Sequence, residues 1–262
     1  MPTALRRFAY RTFARAVGAN LDEVELELTA YPSLGDFFAR RLVPGARPID
    51  PAPGAVISPC DGVVAARGLA HDGVLVQVKG RDYQLAQLVA DRERADRLTG
   101  GAYETIYLSP RDYHRVHAPV GARVLGYDYL PGALWPVNPR AAAYRDALLA
   151  RNERVVIWLH AGALGHVAVV LVAAGGVGNM RLAPALGGGD GSGVDSAQWR
   201  TAREPRRVEL SGVTVERGDE LGMFRLGSTV VLVFEPGQVE LTSEIGAAVQ
   251  FGQRIGDRRE GA

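Results

Sequence analysis

Between Val155 and Gly178 the chain is almost wholly apolar, and no other stretch limits its fold so strongly. The run is long enough to suggest a membrane-spanning helix. Its interior argues against one, because His160, His166 and the turn-like Gly162-Ala163-Leu164-Gly165 interrupt it, with β-branched residues on each side. That pattern predicts a hairpin of two buried strands.

From Val56 onward, short Val/Ile/Leu runs alternate with Gly, Pro and Asp, which signals a β-rich body with antiparallel connections. Helices return briefly, at about 84–92 and 139–150. The expected fold class is α+β: a core of mainly antiparallel strands, barrel- or sandwich-like, with N-terminal amphipathic helices. Residues 3–17 place Leu5, Ala9, Phe13 and Ala16 on one helical face and Arg7, Arg11 and Arg15 on another. Such a helix fits equally well docked on the core with a solvated arginine face or resting on anionic lipid. A second helix is predicted from Ser33, where Ser33 and Asp36 resemble a capping box ahead of Phe37, Phe38 and Leu42. The Gly-rich segment between Leu186 and Ala202 is too poor in apolar groups to offset its ordering entropy, and it reads as a mobile surface loop. A phosphate cradle there lacks the strand-then-helix context and the following lysine.

With 262 residues, 47% of them hydrophobic, the chain can bury a sizeable core as one domain with an N-terminal appendage. Its formal net charge of +1 gives no field that would favour nucleic acid. Lys79 is the only lysine and sits in a strand-like run, which argues against a pyridoxal-phosphate site. Cys60 is the only cysteine, so neither an intramolecular disulfide nor a multi-cysteine zinc site can form, and no metal is expected. The first residues lack the pattern of a secretory signal, which predicts a chain that stays inside the cell.

Chemistry-bearing residues fall in three stretches: Ser58-Pro59-Cys60-Asp61-Gly62, Tyr107 to Pro119, and Gly222 to Thr229 ahead of the apolar run Val230 to Phe234. Taken singly they read blandly. Gly227-Ser228 is a turn entering a strand, Asp61-Gly62 a turn, and His117 a surface histidine before Pro119. Taken together, Ser228, His117 and Asp61 could form a relay, since a serine hydroxyl becomes a useful nucleophile when an imidazole oriented by a carboxylate takes its proton. His71, His160 and His166 read as structural.

These stretches resemble the signature blocks of the phosphatidylserine decarboxylase family. The similarity extends to Gly45-Ala46-Arg47-Pro48-Ile49-Asp50, Lys79 to Leu85, Pro131 to Pro139 and Asn152-Glu153-Arg154-Val155, in family order over about residues 30–240. The Leu226-Gly227-Ser228-Thr229 block and the N-terminal helices are similar to the longer, bacterial-type members. The resemblance implies decarboxylation of phosphatidylserine to phosphatidylethanolamine through a pyruvoyl group made from Ser228. Ser228 Oγ would attack the Gly227 carbonyl to give an ester; elimination leaves dehydroalanine, and hydrolysis releases ammonia and leaves a pyruvoyl cap. The precursor would thus become two chains, 1–227 and 228–262. Asp61 and His117 would activate Ser228, and His114 would deliver the proton that replaces carbon dioxide. On a regular strand, positions 114 and 117 point to opposite faces, so both reach one site only if the segment bends.

The resemblance further implies a membrane-associating segment over 1–45, a catalytic domain over 46–262, a homodimer, and a peripheral position on the cytoplasmic face of the cell membrane. Cys60 stands where a small residue such as Ala is expected, and Ala173 to Asn179 replaces a more polar run. A serine hydrolase acting on an external ester, and a catalytically silent β-rich binding module, are the alternatives.

Overall fold

The computed structural model describes residues 3–76, 81–175, 179–187, 194–200, 203–225 and 228–259. Lys79 and Gly227 lie outside them. The apolar run is the predicted hairpin: strands Arg154–His160 and His166–Ala173 pair antiparallel from Arg154↔Val172 to His160↔His166. Among the described residues no helix is long and apolar enough to cross a membrane.

That hairpin sits inside an open, antiparallel nine-stranded sheet. Across it the order is Arg206–Glu209, Ala122–Leu130, Arg154–His160, His166–Ala173, Ser228–Phe234, Ala102–Leu108, Gly62–Leu69 and Ala248–Val249. Thr214–Val215 pairs separately with Ala122–Leu130. Ser228–Phe234 therefore lies between two full-length neighbours, with Ser228 opposite Ala173 on one side and Leu108 on the other.

Both faces of the sheet are covered, which is why its central strands read as unbroken apolar runs rather than alternating ones. On one face Val230, Leu232, Val169 and Leu171 meet two small sheets. These are Met180–Leu182, Glu220–Phe224 and Arg115–His117 in one, and Ala55–Ile57, Arg254–Arg258 and Val239–Leu241 in the other. On the opposite face Val231, Val233, Val170 and Trp158 meet the helices Leu85–Val89, Arg92–Leu98 and Leu148–Arg151. Asp91 caps the helix Arg92–Leu98 by accepting from Arg94 N at 3.0 Å; it extends the helical region beyond the predicted limit at 92.

The N-terminal helix spans Thr3–Val17. It packs Tyr10 and Ala14, with Ala9 and Phe13 beside them, on Tyr31 and Phe37. Leu5 instead faces solvent, as does Phe8 at 74% exposure, on the side that carries Arg7, Arg11 and Arg15. The core therefore selects a face turned from the one the spacing marks out. Ser33 caps Leu34–Phe38 as expected, its Oγ accepting from Asp36 N, but the helix stops at Phe38 rather than reaching Leu42.

Reading all of 186–202 as a surface loop does not hold for residues 194–200. Trp199 packs against Tyr127 and Tyr129, with ring centroids 5.9 and 5.1 Å away. Ser196 is buried, and Arg200 pairs with Glu153 at 2.7 Å. One aromatic anchor supplies the apolar contact that composition averaged over the segment conceals.

Candidate active site

Ser228 opens a central strand and is fully buried. Its Oγ lies 3.2 Å from His114 Nδ1. The other ring nitrogen of His114, Nε2, is 3.0 Å from the Ser109 carbonyl. A carbonyl only accepts, so Nε2 carries the proton and Nδ1 is left to accept from the serine hydroxyl. The Ser109 carbonyl is fixed in turn. Asp112 accepts from Ser109 N and Oγ, both at 2.7 Å, and Arg40 Nη2 donates to the Arg111 carbonyl at 3.0 Å. Phe38 covers the imidazole with its ring centroid 4.0 Å away. Burial pushes the His114 imidazole down to about 3, against the hydrogen bond to Ser109 and with the charge of Arg40. At neutral pH the ring is therefore an uncharged acceptor.

His117 follows three residues later and faces elsewhere. Nδ1 donates to the Gly218 carbonyl at 2.8 Å, and Nε2 accepts from the Tyr113 hydroxyl at 3.1 Å. Phe251 stacks on it at 3.7 Å. Burial holds this ring down near 4. Asp61 accepts from Arg47 Nη2 at 2.7 Å and from Phe251 N at 2.9 Å. Asp61 and His117 thus grip the same residue, Phe251, from two sides without bonding to each other, and His114 is the histidine that touches Ser228. His114 precedes the short strand Arg115–His117, so the alternation of a regular strand does not govern the pair, and the two rings meet different partners. Gly62 lets the Asp61 turn approach Ala102–Leu108, because a Cβ there would stand 2.6 Å from the Tyr107 carbonyl oxygen.

Sequence reasoning missed Phe38, Arg40, Ser109, Asp112 and Tyr113 as neighbours of the site. A local signal existed for one pair: Ser109 and Asp112 have the i, i+3 spacing of a side chain that closes a turn on itself. His160 and His166 pack edge to face at 5.1 Å, and His166 pairs with Glu235.

Fold and site together place a buried serine hydroxyl, in contact with an uncharged imidazole, at the mouth of a central strand. The profile of the family described as "Phosphatidylserine decarboxylase" matches residues 34–257. A "Phosphatidylserine decarboxylase proenzyme" of Myxococcus xanthus is 40% identical over 98% of this chain and 89% of its own length. Proteins of the same name from Anaeromyxobacter sp. and Brevibacillus brevis are 43% and 36% identical, covering 97% and 98% of this chain and 88% and 90% of their own lengths. The chain belongs to the phosphatidylserine decarboxylase family.

Proposed function

We propose that this chain is a proenzyme that cuts itself between Gly227 and Ser228 and then converts phosphatidylserine to phosphatidylethanolamine and carbon dioxide. The observation that carries this reading is the Ser228 Oγ to His114 Nδ1 contact, 3.2 Å long and closed to water, in a member of this family. His114 Nδ1 is the acceptor placed to take the Ser228 proton, and the Ser109 carbonyl fixes the tautomer that leaves it free to do so.

The residues fit a pyruvoyl group at position 228. The position is buried, its side chain meets an uncharged imidazole, and two strands hold the backbone after it. When present, that group supplies a ketone for the substrate amine and a sink for the electron pair left by carbon dioxide. The chain's own residues then have three tasks: Phe38 shields the site from water, Ser109 orients His114, and His114 Nδ1 returns a proton to the former α-carbon.

A lipid substrate is supported by an apolar groove of about 630 Å³ beside Ser109, lined by Val17, Val63, Tyr107, Pro110 and Ile245. Phe8 and Leu5 project from the arginine-bearing side of the N-terminal helix, the composition of a surface that rests on anionic lipid. We assign segment 1–45 to that contact, on the cytoplasmic face.

Intact mass measurement tests the reading. The parent is expected as two pieces, the smaller one blocked at its N-terminus, and Ser228→Ala as one uncut, inactive chain. A Ser228→Ala protein still broken between 227 and 228 would overturn the scheme.

A further inference from the structure

A cleft of about 310 Å³ lies against the wall that carries His114. Five arginines line it, Arg40, Arg41, Arg115, Arg181 and Arg225, against two carboxylates. Counting Glu220, which pairs with Arg115 at 2.7 Å and Arg41 at 3.3 Å, cations still outnumber anions. Side chains of this lining carry buried donor atoms without a hydrogen-bond partner, Arg40 Nε and Nη1, Arg225 Nε and the Tyr31 hydroxyl, and Arg40 also lines a neighbouring cleft with Glu23 and Asp61. Arg40 is 3% exposed, and among the described residues no carboxylate lies within 4.0 Å of it. A desolvated guanidinium with two unmet N–H faces is costly unless an anion completes it. Arg47 and Arg115 nearby are each completed by a carboxylate; Arg40 is not.

Location ties the cleft to the chemistry. Arg40 is two residues beyond Phe38, whose ring covers His114. Arg115 follows His114, and Phe224 N donates to the His114 carbonyl at 2.9 Å. Arg225, three residues before Ser228, forms another part of the wall.

We infer that this cleft receives the phosphodiester of the serine phospholipid, with Arg40 as the buried anchor and Tyr31 and Arg225 as further donors. The inference rests on the decarboxylase reading above. The substrate also offers a carboxylate, but an arginine there would hold the charge that must depart and so favour the ground state over the transition state. The phosphodiester keeps its charge throughout. Contacts to it contribute equally to substrate and transition state, and their loss appears in KM rather than kcat.

The test uses the processed enzyme with soluble dihexanoyl phosphatidylserine, together with calorimetric binding of dihexanoyl phosphatidylethanolamine, which has the phosphodiester but no carboxylate. Arg40→Gln is expected to raise KM and the product's Kd by the same factor, about 10- to 100-fold for a lost charged hydrogen-bonding partner, while kcat changes by less than about threefold. Arg40→Lys should fall between the parent and Arg40→Gln. A raised KM with unchanged product binding would move Arg40 to the carboxylate and overturn the inference. A fall in kcat alone would make it a positioning residue for the Arg111–Asp112 turn, and no change in any constant would remove the site.

If Arg40→Gln does not fold, Arg225→Gln and the rim variant Arg41→Gln must still weaken product binding, and unchanged binding in both rejects the cleft. A parent that binds the product but releases no carbon dioxide from phosphatidylserine would instead sink the decarboxylase reading.

Discussion

His114 Nδ1 is the partner of the Ser228 hydroxyl, and His117 has both ring nitrogens engaged by Tyr113 and Gly218. His114→Ala is therefore expected to slow cutting and to lower turnover per processed molecule about 10²- to 10⁴-fold. The fraction processed, read by mass spectrometry, normalises the rate; turnover near the parent's would remove His114 from the reaction. Asp61→Asn and His117→Ala are expected to slow cutting together, because both loosen Phe251, which Asp61 holds through its N–H and His117 through its ring. The double variant should be no worse than either single one if the pair acts as a unit. Normal processing in both singles would confine the proton route to His114.

Acid stability follows from the same two rings. Folded, they resist protonation until about pH 3 to 4, whereas the unfolded chain takes up those protons near 6.5. Their contribution is thus fully present above pH 6.5 and is lost as pH falls toward 4, by about 1.4 kcal/mol per pH unit for each ring. Glu104 opposes them. Burial raises its carboxyl to about 7, with the Ser243 hydrogen bond and Arg67 limiting the rise, so its protonated form favours the fold at low pH and that contribution fades between 4.5 and 7. Urea unfolding from pH 7 to 5 should show a fall in stability that shrinks in His117→Ala; an unchanged slope would contradict the burial argument.

The turn before the hairpin shows how distant segments set the strand that carries Ser228. Asn152 is fully buried and donates Nδ2 to the Trp135 carbonyl at 2.8 Å and to the Ala173 carbonyl at 2.9 Å. Its Oδ1 accepts from Trp135 N at 3.3 Å. Ala173 is the residue opposite Ser228, so one amide ties the 131–139 loop to the strand end beside the serine. Asn152→Ala leaves buried partners unmet and should cost about 2–3 kcal/mol. Measuring it by urea unfolding in the Ser228→Ala background keeps the cut state constant; a loss below about 0.5 kcal/mol would show that the loop is held by other contacts.

Much of this architecture was legible. The hairpin, the Ser33 cap and the apolar strand from Ser228 depend on neighbours in sequence, which periodicity and turn chemistry report. The different surroundings of His114 and His117 depend on which carbonyl each ring meets, and for His117 that is Gly218, 101 residues away. The docked face of the first helix was equally hidden, because Tyr31 and Phe37 choose it.

For the molecule as a whole, the sheet's central strand is the segment that begins at Ser228, hydrogen-bonded along both edges and packed on both faces. If the chain cuts itself before Ser228 as proposed, this strand is tethered beforehand, and its effective concentration for insertion is in the millimolar range of a short linker. Once severed, it must find the rest of the chain by collision. The uncut protein should therefore regain its structure after denaturant at a rate independent of dilution, and the processed one at a rate proportional to concentration. Equal, dilution-independent recovery of both would refute this. On the proposed reading, a cut that adds chemistry would also remove the way back: the two-chain protein would persist through the barrier to its own unfolding, not through an equilibrium it can re-enter at low concentration.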